Sequence, residues 1–194
     1  MARIESIIPF ILKWETGTVI KKGEKLPAYF NRCKAGKGGS SDDPDDTGGY
    51  TVCGITYATW GMYCKRNRKE ATKETMKASI TYEVWLDVLK TMFWDRCQGD
   101  NISSQSVANI VVDWFWGSGF AGVKALQRSL SLTADGVIGP KTLATINGAN
   151  ARNLFAHIKQ ARVEYLNDIV KKRASNAKFL KGWLNRLNDI TFSC

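Results

Sequence analysis

The chain has 194 residues, of which 44% are hydrophobic and 24% charged, the balance of a globular protein long enough for one well-buried domain or two small ones. A formal net charge of +10 favours contact with polyanions such as nucleic acid, anionic lipid or acidic cell-wall polymers. The absence of any run of 18 apolar residues excludes a membrane-spanning helix. The chain has five cysteines without a CxxC pair and a single histidine, which argues against a zinc site. The single histidine also argues against nucleophilic catalysis that depends on a histidine base.

The first predicted element is an apolar helix that ends at a glutamate. Within residues 4–15, three isoleucines and Glu15 recur at steps of four, three and four, which places them on one helical face. Pro9 marks a start or a kink, and the Thr-Gly pair at 16–17 offers a stop. A carboxyl group that faces the protein has its ionised form disfavoured, as a general acid near neutral pH requires. Alternatively, the apolar face stops one residue earlier and Glu15 lies in solvent at a frayed end.

A small β flap is predicted over residues 18–57. The stretch GKGGSSDDPDDTGG has the composition of a loop, and YTVCGITY at 50–57 has that of strands, so a hairpin or a three-stranded flap is expected. Asp46 lies in the polar glycine turn before these strands, where its carboxylate is expected to stay ionised. The spacing of the aspartates does not fit a calcium loop, whereas a solvated acidic turn remains an alternative.

Glu15 and Asp46 offer the two carboxyl environments that a glycosidase uses. In such an enzyme a protonated carboxyl group donates to the leaving oxygen, while an ionised one orients water or stabilises positive charge. Aromatic side chains could supply the surface on which sugars stack. The aromatic residues near this pair or off the apolar helical faces are Trp14, Tyr50, Tyr57, Trp60 and Trp116. Those on apolar faces, which are expected in the core, are Trp85, Trp94, Trp114 and Trp183.

From residue 80 onward the pattern is helical. Thr81 is predicted as the N-cap of the first of these helices, and Pro140 as the first residue of a later one. Apolar faces at helical spacing predict helices over about 84–94, 107–117, 123–130, 150–173 and 179–187. The whole chain, 1–194, is therefore predicted to be one mainly α domain with the β flap near its N-terminus and a helical C-terminal part at 121–194.

Several motifs follow one another along the chain. They are Glu-Thr-Gly at 15–17, DPDDTGGYTVCGIT at 43–56, FWDRCQGD at 93–100, VVDWFWGSG at 111–119, LQRSLSLTADGVIGPKTL at 126–143 and GWLNR at 182–186. In this order they resemble glycoside hydrolase family 108, a group of bacterial and phage lysozyme-like N-acetylmuramidases whose genes often carry the label of secretion activators. The resemblance covers nearly the whole chain, and its strength lies in the order of the motifs rather than in any one of them.

The resemblance implies a lysozyme-like α fold, peptidoglycan as substrate, and hydrolysis of the β-1,4 bond between N-acetylmuramic acid and N-acetylglucosamine with Glu15 as the catalytic acid. The chain departs from the family pattern at Thr16, which replaces a glycine, at Gly117, where an asparagine is expected, and in the long separation of Glu15 from Asp46. The segment DGVIGPKT resembles a peptidoglycan-binding repeat, although a single copy within a helical domain favours the structural role of a packed turn.

A looser similarity to phage lysozymes suggests which residues contact the sugar. In those enzymes a hairpin threonine lies near the reacting face of the sugar, and here Thr51 or Thr56 could take that place. Both also fit ordinary strand threonines chosen for β-propensity. Together with the aromatic candidates, the expected substrate-binding residues are Thr51, Tyr50, Thr56, Tyr57 and Trp116.

The expected partner is the peptidoglycan glycan strand, bound by a monomer without cofactor, metal or specific nucleic acid. Two other activities remain open, a lytic transglycosylase and a non-catalytic protein that binds the cell wall or regulates secretion. Because MARIESIIPF lacks the features of a signal peptide, we expect synthesis in the bacterial cytoplasm. Action on the wall, in the periplasm or outside the cell, would then follow export through a holin or another route.

Overall fold

The computed structural model describes residues 1–42 and 49–193, which form two compact units. The N-terminal unit is Ile7–Met92, and the C-terminal unit is Met1–Ser6 together with Phe93–Cys194. Over the described residues the chain contains nine α-helices and a three-stranded antiparallel sheet. This confirms the predicted mainly α, lysozyme-like class with a small β flap near the N-terminus. None of the helices in the described ranges has the length and apolar character needed to cross a bilayer.

The N-terminal unit contains five helices and the sheet. In chain order its elements are α1 (Ile8–Thr16), α2 (Leu26–Ala35), β1 (Ser40–Ser41), β2 (Thr51–Val52), β3 (Ile55–Thr56), α3 (Tyr57–Arg66), α4 (Lys73–Ser79) and α5 (Tyr82–Leu89). The strands are antiparallel in the order β1-β2-β3, with Thr51 opposite Thr56 and Val52 opposite Ile55. A π-helical segment, Lys90–Trp94, follows α5.

Helix α1 begins and ends where the sequence pattern predicts. Pro9 lies in its first turn, where the missing backbone N–H removes no helical hydrogen bond. Gly17 ends it in the left-handed conformation, with φ of 69°, and donates its N–H to the carbonyl of Lys13. Ile8 and Ile11 on its inner face are fully buried, so the helix is fixed along its length up to the glutamate near its end.

Helix α2 corrects the prediction for residues 18–57, which expected only strands and loop there. Pro27 lies in its first turn, and the backbone N–H of Gly36 caps two carbonyls at its end. The buried side chains on its inner face are Tyr29, Phe30 and Cys33. No side chain caps its N-terminus and its apolar face is short, so the surrounding glycine- and lysine-rich composition outweighed the helical signal.

The remaining helices of the N-terminal unit start at threonine caps. Thr56, Thr72 and Thr81 each accept a hydrogen bond from a backbone N–H three residues later, which confirms the predicted cap at Thr81. Trp85 on α5 is fully buried, as expected for a core residue. Trp60 is also buried, with 4% of its surface exposed and its ring stacked on Tyr63, so the prediction that it lines a groove is wrong.

The C-terminal unit is built from four helices, and α8 packs against both α6 and α9. They are α6 (Gln105–Ser129), α7 (Pro140–Gly148), α8 (Ala151–Lys172) and α9 (Ala177–Asp189). Pro140 begins α7 and α8 spans nearly the predicted range. The two helices predicted around residues 107–130 are both present within the range of α6, and they meet at Gly119, whose φ of 55° and ψ of −149° are not helical. Trp94 and Trp114 are buried in this unit, whereas Trp183 is only partly buried.

Candidate active site

The side chain of Glu15 lies against the tip of the β2–β3 hairpin. Glu15 occupies the last turn of α1 and is half-buried, so the alternative of a frayed, solvent-exposed end does not hold. A β-carbon built on Gly54 would lie 2.6 Å from Cδ and 2.7 Å from Oε2 of Glu15. The carboxyl group of the predicted acid is therefore packed directly on the backbone of the hairpin turn.

A two-residue turn, Cys53-Gly54, brings the hairpin to this position. Both residues have positive φ, 46° and 80°, as a type I′ turn requires. The indole Nε1 of Trp85 donates to the carbonyl of Cys53 at 3.0 Å, and the backbone N–H of Cys53 donates to the carbonyl of Gly39 at 3.0 Å. The turn is thus held by a buried tryptophan and by the loop before β1.

The thiol of Cys53 is buried close to Glu15 but is not suited to nucleophilic chemistry. Burial, with smaller contributions from Cys33 and Glu15, raises the pKa of the Cys53 thiol to about 12. A thiol with so high a pKa stays protonated near neutral pH, and the thiolate is the reactive form. Cys53 therefore has a packing role, and Glu15 is the residue at this turn with acid–base chemistry to offer.

Two glycines allow the loop before β1 to lie close to the ends of α1 and α2. A β-carbon on Gly38 would stand 2.8 Å from the carbonyl carbon of Thr16, and one on Gly39 would stand 2.6 Å from the carbonyl oxygen of Cys33. Thr16, one of the two residues that depart from the family pattern, is buried and donates its hydroxyl to the carbonyl of Leu12 at 2.7 Å. The last turn of α1 is consequently fixed on both sides of Glu15.

The predicted sugar-contacting residues of the hairpin flank this turn. Thr51 and Thr56 are opposite one another and half-buried, on the face opposite to buried Val52 and Ile55. Thr56 caps α3, because its hydroxyl oxygen accepts the N–H of Thr59 at 3.1 Å. This bond gives Thr56 a structural role whether or not it also contacts a sugar.

Tyr50 and Tyr57 close the open end of the same hairpin. The backbone N–H of Tyr57 donates to the carbonyl of Tyr50 at 2.8 Å, and the Tyr57 hydroxyl donates to the carbonyl of Ala71 at 3.0 Å. Both residues are half-buried, and each keeps part of its surface accessible. The structure therefore groups Tyr50, Thr51, Thr56 and Tyr57 on one hairpin, at whose tip Glu15 lies.

Of the remaining predicted residues, two are described by the structure and one is not. Asp46 lies outside the described residues, in the segment between β1 and β2. Trp116 belongs to α6 of the C-terminal unit, where its half-buried ring lies 4.6 Å from that of Phe93. Trp14 is half-buried beside Glu15 on α1, with the ammonium of Lys13 5.7 Å from its ring.

Gly54 and Trp85 are the residues of this site that sequence reasoning did not single out. A residue followed by glycine between two short β-branched runs indicates a two-residue hairpin, and that signal was present in VCGI. The approach of Glu15 to that glycine had no such signal, because it joins two segments far apart in the chain. In the described part of the chain no group of three or more histidine, cysteine or acidic side chains could hold a metal ion.

Two family models match the chain in succession. The family described as Glycosyl hydrolase 108 matches residues 30–119, and the one described as Predicted Peptidoglycan domain matches residues 121–188. Glu15 lies before the first matched segment. Among solved structures, the chain is similar to the structure of Brucella abortus SagA, with 30% sequence identity and a TM-score of 0.68. That similarity covers 83% of this chain and 86% of the other. No curated protein matches the chain.

Proposed function

The chain belongs to the glycosyl hydrolase 108 family, and on this basis we propose that it is an N-acetylmuramidase with Glu15 as its general acid. The two matched families make it a glycoside hydrolase that acts on peptidoglycan. The bond in our proposal is the β-1,4 linkage between N-acetylmuramic acid and N-acetylglucosamine. The chain's net charge of +10 favours binding to peptidoglycan and its associated cell-wall polymers, which are anionic.

The observation that carries the proposal is the packing of the Glu15 carboxyl group on the Gly54 turn. A general acid must be held in one orientation and partly withdrawn from water, so that its proton passes to the leaving oxygen. Here the α1 helix fixes the backbone of Glu15, and the hairpin limits the positions that its side chain can take. In the proposed reaction Glu15 protonates the glycosidic oxygen as the bond to the anomeric carbon breaks.

A second carboxylate completes the proposed chemistry. As positive charge develops on the sugar ring, an ionised carboxylate stabilises it or orients the attacking water. Asp46 is our candidate for this role because of its position in the acidic turn that precedes the hairpin. Tyr50, Thr51 and Tyr57 are proposed to contact the glycan, since they lie on the hairpin that holds Glu15 and remain partly accessible.

The decisive test is mass spectrometry of purified peptidoglycan digested with the wild-type protein and with Glu15→Gln. Glutamine has nearly the same shape as glutamate and no transferable acid proton, and circular dichroism and thermal unfolding would show that the variant is folded. We expect reducing N-acetylmuramic acid ends from the wild type alone. Anhydro ends would identify a lytic transglycosylase instead, and no products from either folded protein would favour a non-catalytic wall-binding or secretion-regulating protein.

A further inference from the structure

The C-terminal unit carries an exposed apolar patch, formed by Phe120 and Val137, that has no part in the proposed hydrolysis. Phe120 directly follows Gly119, where the backbone leaves helical geometry, and Val137 lies in the loop between α6 and α7. The two residues are 52% and 61% exposed, and both line one cavity of about 200 Å³. Hydrophobic residues exposed singly are ordinary, whereas exposed ones that adjoin each other indicate a binding surface.

The cavity of this patch has almost entirely apolar walls. The ring of Phe120 lies 5.4 Å from that of Phe115. The lining residues are Arg96, Phe115, Phe120, Val123, Gly136 and Val137. The volume of the cavity is below the roughly 300–1,000 Å³ that is typical of small-molecule sites. It therefore suits one apolar part of a larger partner rather than a whole small molecule.

Two basic side chains border the patch. The guanidinium carbon of Arg96 lies 5.7 Å from the centre of the Phe120 ring. Lys124 is exposed, and a β-carbon built on Gly136 would lie 3.2 Å from its Cε, so the lysine passes beside the loop that carries Val137. Long basic side chains can cover apolar surface with their methylene groups while their charged ends stay in water.

The helix face that carries Phe120 is basic. In the part of α6 after the break, Phe120, Lys124 and Arg128 recur at every fourth residue, and all three are exposed. Residues four apart share one face of a helix, so the phenyl ring and the two charges project from the same side. The sequence of residues 114–134 contains no aspartate or glutamate, so no acidic residue of this segment offsets the two charges.

The acidic residue at the patch is Asp135, whose carboxylate is used within the loop. Its Oδ1 accepts hydrogen bonds from Nε2 of Gln127 at 2.7 Å and from the backbone N–H of Val137 at 2.8 Å. These bonds hold Val137 in place. The three basic groups outnumber Asp135, and they also outnumber Asp135 together with Asp95, the chain neighbour of Arg96. The border of the patch is therefore positive.

We propose that this patch binds the surface of an anionic phospholipid bilayer. Phe120 and Val137 would enter the boundary between headgroups and acyl chains, and the end of an acyl chain would fill the cavity between them. Arg96 and Lys124 would pair with the headgroup phosphates. The inference goes beyond the proposed hydrolysis and does not depend on it.

Both halves of the patch are needed to choose this partner. A soluble polyanion would leave the two exposed hydrophobic residues in water, and a neutral apolar partner would leave the basic border without counter-charges. An anionic bilayer supplies both kinds of contact. Exposure above one half also shows that Phe120 and Val137 project from the surface, which suits insertion into a bilayer better than reception of a helix from a partner protein.

The first test is co-sedimentation of the full chain with lipid vesicles. One set contains phosphatidylglycerol and phosphatidylcholine in equal parts, and the other contains phosphatidylcholine alone. We expect binding to the anionic vesicles to be at least about tenfold tighter, since each basic residue near an anionic surface contributes to the attraction. Equal binding to the two sets would overturn the proposal. Absence of binding would also overturn it and would favour an acidic, apolar segment of a protein as the occupant.

Substitution of the exposed hydrophobic residues locates the contact. Val137→Ser is matched by Val19→Ser, because Val19 is 59% exposed and lies in the N-terminal unit. Phe120→Ser is matched in the same way by Met62→Ser, since Met62 is 56% exposed. We expect each patch variant to bind anionic vesicles about fivefold more weakly and each control to stay within about twofold of the wild type. Wild-type binding by folded Val137→Ser and Phe120→Ser would refute insertion of the patch.

A charge-matched pair separates the basic border from the net charge of the chain. Lys124→Gln and Lys181→Gln each remove one exposed helical lysine, but only Lys124 lies at the patch. We expect about fivefold weaker binding for Lys124→Gln and a change within about twofold for Lys181→Gln. Equal losses would contradict the assignment of this border. Glu15→Gln should bind the vesicles like the wild type, so failure of the lipid proposal is distinguishable from failure of the proposed hydrolase.

Discussion

The carboxyl group of Glu15 lies on the backbone of Gly54, so close that a β-carbon at position 54 would overlap it. Gly54 also has φ of 80°, a conformation that L side chains rarely adopt. Position 54 therefore requires glycine for two separate reasons, the shape of the turn and the room for the Glu15 side chain. The two reasons have different consequences, which substitutions can separate.

We expect Gly54→Ala to reduce hydrolysis of peptidoglycan at least tenfold. The added methyl group would meet Cδ and Oε2 of Glu15 at 2.6 and 2.7 Å, so the carboxyl group must move from its position. Displacement of a reacting group by about an ångström can cost on the order of a hundredfold in rate. The measurement is the initial rate of reducing-end release from purified peptidoglycan.

Gly23→Ala is the matched control for that substitution. Gly23 has φ of 75°, close to that of Gly54, but a β-carbon there would meet no atom within 4 Å. Both variants should lose about 1 kcal/mol of unfolding free energy from backbone strain. Only Gly54→Ala should lose activity, and an equal loss in both would mean that strain rather than contact with Glu15 controls the rate.

We expect the hydrogen bond from Trp85 to the carbonyl of Cys53 to support activity, because it holds the hairpin turn that contacts Glu15. Trp85→Phe removes the donor to a buried carbonyl, which costs about 1–3 kcal/mol of unfolding free energy and loosens the turn that faces Glu15. Trp94→Phe is the control, since Trp94 is equally buried and donates to Asp100 in the C-terminal unit. Denaturant titration should show similar losses, whereas kcat should fall more in Trp85→Phe. Equal kcat values at temperatures where both variants are folded would refute the supporting role.

Local features of this chain could be predicted from the sequence because neighbouring residues determine them. The end of α1 follows from a helical apolar pattern and a glycine in the left-handed conformation, and the start of α5 follows from the hydroxyl of Thr81. Glu15 could be singled out for the same reason, since its place on α1 depends only on the residues just before it.

Features that depend on contacts between distant segments could not be predicted in this way. The short apolar face of α2 can be recognised only when its packing partner is known. That partner is Trp85 on α5, whose ring lies 5.7 Å from that of Phe30. Asp113 could be placed on a helix, but its partners Arg162 and Arg186 come from two later helices. No pattern within a single segment contains such pairings.

Asp46 should matter more than its acidic neighbours if it is the second carboxylate of the reaction. We expect Asp46→Asn to lower kcat at least a hundredfold, because the charge that stabilises the developing cation or orients water would be lost. Asp43→Asn removes a charge from the same acidic run and should stay within twofold of the wild type. Similar rates for both variants would remove Asp46 from the proposed mechanism and leave Glu15 as the single assigned group.

The ion pairs of Asp113 with Arg162 and Arg186 should stabilise the protein at neutral pH and lose their effect in acid. Burial by itself would raise the pKa of Asp113. The neighbouring Arg186 and Arg162 outweigh this effect and hold that pKa below its ordinary value of 3.8. The stabilisation is therefore complete above about pH 3.8 and is lost as the pH falls through the lower pKa of the folded state.

Asp113→Asn should test this pH dependence directly. At pH 7 we expect it to cost about 3–5 kcal/mol of unfolding free energy, because it removes the carboxylate shared by two largely buried arginines. The difference from the wild type should narrow below pH 3.8, where protonation makes the aspartate resemble asparagine. Denaturant titration at pH 7, 5 and 3 measures this difference in unfolding free energy. Asp168→Asn is the control, because it removes an exposed carboxylate paired with Lys171. We expect the control to change the unfolding free energy by less than about 1 kcal/mol. A difference that stayed constant from pH 7 to pH 3 would mean that the carboxylate charge of Asp113 contributes nothing, and that its effect comes from shape alone.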